Sequence, residues 1–157
     1  MLVNSITHRP ATAEDEPFLC ELYAGTRLIE LELIPWDENQ KRAFIKMQFD
    51  ARQQQYREYY PDAESSMILQ RGEPIGALLV AKRDREIVLV DIALLPQHRN
   101  AGVGTQLVKS LLEEAGGAGK TVRLCVLAAS AAVKMYERLG FKKTNDNGVY
   151  FEMNWPG

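Results

Sequence analysis

Hydrophobic positions follow two patterns along the chain. One predicts helices in some segments, and the other predicts strands in the rest. Four segments carry helix signals, and these are residues 12–25, residues 37–59, the stretch that follows Gly104 and ends at Ala115, and residues 131–139. Short runs rich in Val, Ile and Leu predict strands at 66–70, 74–82, 86–95 and 121–128, and residues 6–9 are a further candidate. Residues 141–144 and 149–153 flank Asn147-Gly148, a turn pair typical of a β-hairpin. The order predicts an α+β fold with a mixed sheet, in which residues 66–95 form three consecutive antiparallel strands.

The helix boundaries are marked by capping and stop residues. Thr12 with Asp15 predicts the start of the first helix, and Asp37 with Gln40 resembles a capping box at the start of the second. Pro61 ends the second helix because it cannot donate a backbone hydrogen bond. One stripe of this helix carries Phe44, Met47, Ala51 and Gln55, and the inward face of the third helix carries Leu107, Val108, Leu111, Leu112 and Ala115.

The composition is that of an ordinary globular protein, with 46% hydrophobic and 25% charged residues and a net charge of -2. This charge gives no electrostatic support for nucleic-acid binding. No apolar run reaches the length of a membrane span, and no targeting segment is expected, since Arg9 and Pro10 come early. Cys20 and Cys125 form no disulfide framework, and Cys125 is expected to be a buried thiol because its surroundings are apolar, so we expect a cytoplasmic protein.

Gly102 and Gly104 lie where a strand, a proline and a basic turn lead into the third helix. Free backbone N–H groups at a helix N-terminus attract anions, and glycine lets a phosphate approach them. Arg99 can add a charged contact, although the glycines alone are also explained as residues that only shape the turn. Neither a P-loop nor the glycine pattern of a dinucleotide-binding fold is present, because the following Lys-Ser/Thr and the third glycine are missing.

Two motifs give the chain a family resemblance. The pattern Arg99-x-x-Gly102-x-Gly104 resembles the acetyl-CoA motif of the GNAT N-acetyltransferase superfamily, (Gln/Arg)-x-x-Gly-x-(Gly/Ala). Residues 131–141, AAVKMYERLGF, resemble a second family segment, Ala-x-x-x-Tyr-x-x-x-Gly-Phe. The resemblance implies a single domain over residues 1–157, with a mostly antiparallel sheet, about four flanking helices, and a splay between the fourth and fifth strands.

The resemblance also implies acetyl-CoA as cosubstrate. The glycine turn would hold the pyrophosphate, the end of the fourth strand would hold the pantetheine arm, and Ser130 would stand where many members have a CoA-contacting Asn. Ser130 can equally be only a helix cap. The implied cofactor residues are Ile92, Ala93, Leu94, Arg99, Asn100, Ala101, Gly102, Val103, Gly104, Thr105, Ser130 and Tyr136.

Three residues are candidates for the chemistry of acetyl transfer. Asp91 is a base or an amine-binding group, because the proton of an amine must be removed, and its alternative is a carboxylate on the polar face of the sheet. The resemblance implies that Leu94 N–H stabilises the oxyanion and that Tyr136 is the general acid on sulfur. Periodicity alone makes Tyr136 a core aromatic residue.

The acceptor is expected to be a small-molecule or peptide amine. Glu30, Glu32, Asp37 and Glu38 surround Trp36, which would suit a cationic amine, although a solvated acidic loop explains them equally well. Alternative functions are a non-catalytic acetyl-CoA sensor or scaffold, or a phosphate-binding domain of another fold. No metal site is expected at His8 or His98, and the hairpin at 141–153, expected to be apolar, offers an edge for a homodimer.

Overall fold

The apolar runs join into one sheet. The computed structural model describes residues 6–27, 31–99 and 101–156. In this part of the chain the strands are β1 (Ile6–Pro10), β2 (Ala63–Gln70), β3 (Glu73–Lys82), β4 (Glu86–Leu94), β5 (Thr121–Leu127), β6 (Lys142–Asp146) and β7 (Tyr150–Trp155). The α-helices are α1 (Glu16–Gly25), α2 (Glu38–Tyr59), α3 (Val103–Gly117) and α4 (Ala132–Arg138).

The sheet has the strand order β1-β2-β3-β4-β5-β7-β6. Neighbouring strands are antiparallel except for β4 and β5, which run parallel because α3 lies in the connection between them. The α+β prediction of a mostly antiparallel sheet with about four helices is confirmed.

Two helical layers cover the sheet. All five residues predicted to face inward from α3 are buried, and they pack with Ile87 and Leu89 of β4, Tyr136 of α4 and Phe141 in one core cluster. Leu22 of α1 and Phe49 of α2 are buried outside this cluster. They belong to the second layer, in which α1 packs on α2 and touches β3 and β4.

The buried stripe of α2 differs from the predicted one. Met47 is 60% exposed, and Phe44 packs its ring edge-on against Trp36 at 5.3 Å near the surface. The residues that turn toward the sheet are Ile45, Gln48, Phe49, Arg52 and Tyr56. Two of these five residues, Gln48 and Arg52, are polar, so hydrophobic spacing does not identify the stripe.

The start of the first helix contains an ion pair that links it to β1. The Asp15 carboxylate accepts the Thr12 backbone N–H at 2.8 Å, as the capping signal predicts. The same carboxylate pairs with both terminal nitrogens of Arg9 at 2.8 Å. These bonds hold the pKa of Asp15 well below its usual range, chiefly through Arg9.

Two expectations about the surface need correction. Cys125 is exposed rather than buried, because its side chain alternates away from the buried Val122 and Leu124 of β5. The edge strand β6 is fully exposed and carries Lys142, Lys143 and Asp146, so the edge of the C-terminal hairpin is polar. Charged residues on an edge strand oppose strand pairing between copies, and the homodimer stays a prediction. Among the described residues, no helix has the length and apolar character needed to cross a bilayer.

Candidate functional site

The strands β4 and β5 separate halfway along their length. They pair from Glu86 with Thr121 to Leu89 with Leu124, and no further. Beyond Leu89, β4 continues beside β3, whereas β5 continues beside β7. The sheet therefore opens into a gap between the two strands, as the predicted splay requires.

The backbone of β4 turns polar groups toward this gap. Leu95 N–H donates to the carbonyl of Ile75 in β3 at 2.8 Å, so Leu95 and Ile75 form a hydrogen-bonded pair. Bonded and non-bonded pairs alternate in an antiparallel ladder, so the backbone groups of Ala93 and Asp91 also point to β3. Those of Ile92 and Leu94 point the other way, into the gap. Of the three predicted pantetheine residues, Ile92 and Leu94 therefore offer their backbone there, and Ala93 does not.

A β-bulge at Val90 determines which way Asp91 points. Leu79 pairs with Asp91 and Val80 with Leu89, so Val90 is an extra residue in β4. The bulge interrupts the alternation of side chains. Leu89 faces the core under α3, and Asp91, two residues later, faces the layer of α1 and α2.

Gly102 and Gly104 in the glycine turn differ in what their positions require. Gly102 is the N-cap of α3 and has φ 84, a left-handed conformation that favours glycine. Gly104 has no positive φ, and a Cβ there would approach only the Leu94 side chain, at 4.0 Å. Since neither conformation nor internal packing requires a glycine at 104, the space above it is open.

The N-terminus of α3 has hydrogen-bond donors without acceptors. The first helical bond runs from Gln106 N–H to the Gly102 carbonyl at 3.1 Å, and no side chain caps the helix. In the described part of the chain, the N–H groups of Val103, Gly104 and Thr105 donate to no acceptor. Ala101 and Arg99 flank this turn, and Asn100 lies outside the described residues. Arg99 Nε donates to the Leu94 carbonyl at 3.0 Å, which ties the turn to the end of β4.

Asp91 lies in a cluster of polar residues from α1 and α2. Its carboxylate pairs with Arg52 Nη2 at 3.2 Å, and Arg52 Nε donates to the Tyr56 hydroxyl at 2.6 Å. The guanidinium carbon lies 5.3 Å from the ring centroids of both Tyr23 and Tyr56. Tyr23 in turn donates from its hydroxyl to Gln48 at 3.4 Å.

The surroundings of Asp91 disfavour its charged form. Although 36% of the side chain is exposed, burial of the carboxylate among protein atoms raises its pKa. The positive charge of Arg52 and the Ile92 N–H oppose this shift without cancelling it. A carboxylate with a raised pKa is better able to hold a proton transiently, which is what a general base does.

Tyr136 combines features of a core residue and of a reactive one. It is 5% exposed and packs edge-on against Phe141 with 5.5 Å between ring centroids, as its periodicity predicts. Its hydroxyl makes no hydrogen bond within the described residues. Burial, and after it the negative charge of Asp91, together raise the pKa of Tyr136 to about 12. Asp91 and Tyr136 are therefore close enough to influence each other.

Ser130 acts as a helix cap. Its hydroxyl oxygen accepts the Ala132 N–H at 3.1 Å, and its carbonyl accepts the Val133 N–H at 3.3 Å. The capping alternative is thus present, and a contact between Ser130 and CoA stays a prediction.

The acidic residues near Trp36 do not converge on the gap between β4 and β5. Asp37 caps α2 by accepting the Gln40 N–H at 2.8 Å, and Glu32 and Glu38 are exposed. Glu30 lies outside the described residues. A groove of about 920 Å³ between α1 and α2 contains Glu32 and Glu38 together with Lys41 and Arg42. None of the backbone donors or tyrosines described above lines it. The described residues contain no group of His, Cys, Asp and Glu side chains that could hold a metal.

The sequence profile of the Acetyltransferase (GNAT) family matches residues 26–141. The chain belongs to the GNAT acetyltransferase family. This range includes β4, the glycine turn and α4, and so contains both motifs on which the resemblance rests. No curated protein sequence gives a significant match.

Solved structures of other acetyltransferases share the architecture of this GNAT chain. PaiA N-acetyltransferase from Thermoplasma acidophilum, in complex with coenzyme A, is 18% identical, with a TM-score of 0.69 over 96% of this chain and 98% of that one. The ribosomal-protein-S18-alanine N-acetyltransferase from Escherichia coli is 20% identical, with a TM-score of 0.59 over 95% and 92% of the chains. A spermidine N-acetyltransferase SpeG chimera from Vibrio cholerae and hSSAT is 18% identical, with a TM-score of 0.64 over 96% and 94%. At these identities the likeness concerns the fold alone.

The family resemblance implies that the first two helices wall the acceptor site, and Tyr56, Tyr59 and Tyr60 are candidates to line it, with helix packing as their alternative. Sequence reasoning missed Gln48, Arg52 and Tyr23. Arg52, Gln48 and Tyr56 come from a helix whose residues are mostly charged or polar, and Tyr23 comes from α1. The only signal was the repeat of Gln48, Arg52 and Tyr56 at spacing four, which places three polar or aromatic groups on one helical face.

Proposed function

We propose that this GNAT chain is an acetyl-CoA-dependent N-acetyltransferase that transfers the acetyl group directly to a primary amine in a ternary complex. One observation carries the proposal. The gap between β4 and β5 has the Ile92 carbonyl and the Leu94 N–H on one wall, with the uncapped N-terminus of α3 nearby and Asp91 and Tyr136 beside it.

The glycine turn suits the pyrophosphate of acetyl-CoA. Three unbonded N–H groups at a helix N-terminus, with the positive end of the helix dipole, match a phosphate in charge and hydrogen bonding. Open space above Gly104 lets the phosphate oxygens reach these donors. Arg99 donates from Nε to the Leu94 carbonyl. Because the side chain of Arg99 is exposed, its two terminal nitrogens can donate to a phosphate. The pantetheine amides fit the Ile92 carbonyl and the Leu94 N–H, which point into the gap as at an open strand edge.

Acetyl-CoA supplies a thioester, an acetyl group activated for attack by an amine. Asp91 accepts a proton from the ammonium form, because an ordinary amine of pKa about 10.4 has no free lone pair at neutral pH. The amine nitrogen then forms a bond to the carbonyl carbon. Leu94 N–H donates to the carbonyl oxygen as negative charge develops on it. The carbon–sulfur bond breaks, and Tyr136 gives its proton to the departing sulfur and regains one from the acylated nitrogen.

The two titrating groups help each other in this sequence. Burial, and after it the negative charge of Asp91, favour the protonated form of Tyr136. When Asp91 takes the proton of the amine, its charge disappears, and the part of the pKa shift of Tyr136 that depends on it disappears too. Tyr136 thus becomes a stronger acid at the stage when the thiolate must be protonated.

A thiol-release assay with acetyl-CoA tests the proposal. The panel contains free amino acids, polyamines, aminoglycosides and short peptides. We expect one class to stimulate CoA release above the rate with acetyl-CoA alone, and Asp91→Asn to lower that rate by about 10²-fold, as loss of a general base does. Asp84→Asn, in an exposed turn, is the matched control. Saturable acetyl-CoA binding with no release from any amine would contradict the proposal and favour a sensor.

A further inference from the structure

Arg52 is a charged residue in the candidate site that acetyl transfer to a simple amine does not need. Its side chain lies on the second layer of helices, is 38% exposed, and contacts Asp91, Tyr56 and Tyr23. A positive charge beside a proton acceptor opposes the binding of an ammonium ion there. Its presence therefore calls for a role in the choice of acceptor.

The hydrogen bonds of Arg52 leave part of its guanidinium unused. Nε binds the Tyr56 hydroxyl and Nη2 binds Asp91, each through a single bond. Nη1 has no acceptor among the described residues. A guanidinium carries five N–H donors in a fixed fork and binds carboxylates through two parallel bonds. Stacking between the rings of Tyr23 and Tyr56 limits its movement, so the fork is held in a defined orientation.

We propose that the acceptor is a free α-amino acid, whose ammonium group binds Asp91 and whose carboxylate binds Arg52. This inference rests on the proposed N-acetyltransferase function. Arg52 and Asp91 are in contact at 3.2 Å, so the two charges that they attract must be neighbours in the ligand. In an α-amino acid the ammonium and carboxylate groups are separated by one carbon atom. The pair is electrically neutral, and so is the zwitterion that matches it.

The same geometry disfavours the other amine classes. A polyamine brings a second cation, which Arg52 repels. The N-terminus of a peptide has an amide where the amino acid has its carboxylate, so the charge of Arg52 loses its partner. A ligand without the carboxylate leaves the guanidinium of Arg52 without an ion-pair partner. A site built on paired charges discriminates against such a ligand.

The test compares acceptors that differ only in the carboxylate. Each of the twenty amino acids is measured beside its amide and, where one exists, its decarboxylated amine, with thiol release as the readout. The amide is less basic than the amino acid and the decarboxylated amine is more basic. A preference for the amino acid over both therefore cannot come from amine reactivity. For at least one amino acid we expect kcat/KM to exceed that of both analogues by about 10- to 100-fold, as a charge-assisted pair would provide.

Arg52→Gln identifies the residue responsible. We expect this variant to lose about 10- to 100-fold in kcat/KM on the amino acid, mostly through KM, and the preference over the amide to fall close to one. Arg52→Lys should restore part of it, because the charge returns without the fork. Arg57→Gln, an exposed arginine on the same helix, should keep the wild-type preference.

Three results would overturn the inference. In the first, wild-type protein prefers the amide or the decarboxylated amine, which shows that the acceptor site does not bind a carboxylate. An Arg52→Gln variant that loses equal activity on amino acid and amide shows that Arg52 only supports the fold or Asp91. Release from no amine at all removes the proposed transferase and the inference with it, and this outcome is distinct from the first two, in which transfer still occurs.

Discussion

Gly104→Asp separates binding of a phosphate from the stability of the fold. Gly104 is the better position for this test, since any side chain at Gly102 would be strained by its positive φ. A Cβ at 104 meets nothing closer than 4.0 Å, so the protein has room for the new side chain. An aspartate in the first turn of α3 also interacts favourably with the helix dipole, by about 0.3–1 kcal/mol. The melting temperature should therefore stay the same or rise slightly.

Acetyl-CoA affinity should change in the opposite direction. The new carboxylate would lie beside the N–H groups proposed to hold the pyrophosphate. Two like charges about 4 Å apart repel by about 1 kcal/mol in water and about 4 kcal/mol at the effective dielectric of a protein surface. This range corresponds to a loss of about 5- to 1,000-fold in affinity. Gly104→Asn has the same shape without the charge and should lose much less. Gly104→Ala should bind within about threefold of wild type, because a methyl group fits the open space.

Isothermal titration calorimetry with acetyl-CoA measures these affinities, and raising the salt concentration should shrink the difference between the Asp and Asn variants. A folded Gly104→Asp protein that binds acetyl-CoA within twofold of wild type would refute the reasoning. The glycine turn would then be a turn only.

Further substitutions test other parts of the account. Tyr136→Phe keeps the ring and should slow single-turnover acetyl transfer by about 10²-fold with little change in acetyl-CoA affinity, and an unchanged rate would remove Tyr136 from the chemistry. Gly76→Ala would overlap the Ala93 carbonyl oxygen, so we expect a loss of about 1–3 kcal/mol in urea unfolding, and wild-type stability would disprove the close approach of β3 to β4. Asp15 has a lowered pKa in the folded protein, so its contribution is present above the unfolded pKa of about 3.9 and disappears as pH falls below it. Melting curves of wild type and Asp15→Asn should therefore converge with acidification, and a constant difference down to pH 2 would count against the Arg9 pair.

The features that could be predicted from the sequence are those that neighbouring residues determine. The strands at 66–70, 74–82 and 86–95 are marked by apolar runs and turns, and the glycine turn is marked by residues only a few positions apart. The buried face of α3 was predicted correctly because its five apolar residues recur at helical spacing. In each case the signal lies within a single element.

The features that escaped prediction depend on contacts between elements or on one extra residue. The bulge at Val90 has no signature in the sequence, yet it turns Asp91 toward the helices. Arg52 meets Asp91 across 39 positions of the chain. The face of α2 over the site is polar, and hydrophobic periodicity cannot identify a buried face whose purpose is to bind charge. The exposure of Cys125 was also not predicted, because a strand within an apolar run can still have one face in the core and the other in solvent.

The most direct test of the central claim follows the acetyl group itself. The protein is incubated with acetyl-CoA that carries ¹³C in the acetyl group and with the best amine of the panel, and the products are analysed by mass spectrometry. The account predicts one labelled acetyl group on the amine nitrogen for each CoA thiol released, with neither product formed when the amine is omitted. CoA release without labelled amine, or label that stays on the protein, would contradict direct transfer in the gap between β4 and β5.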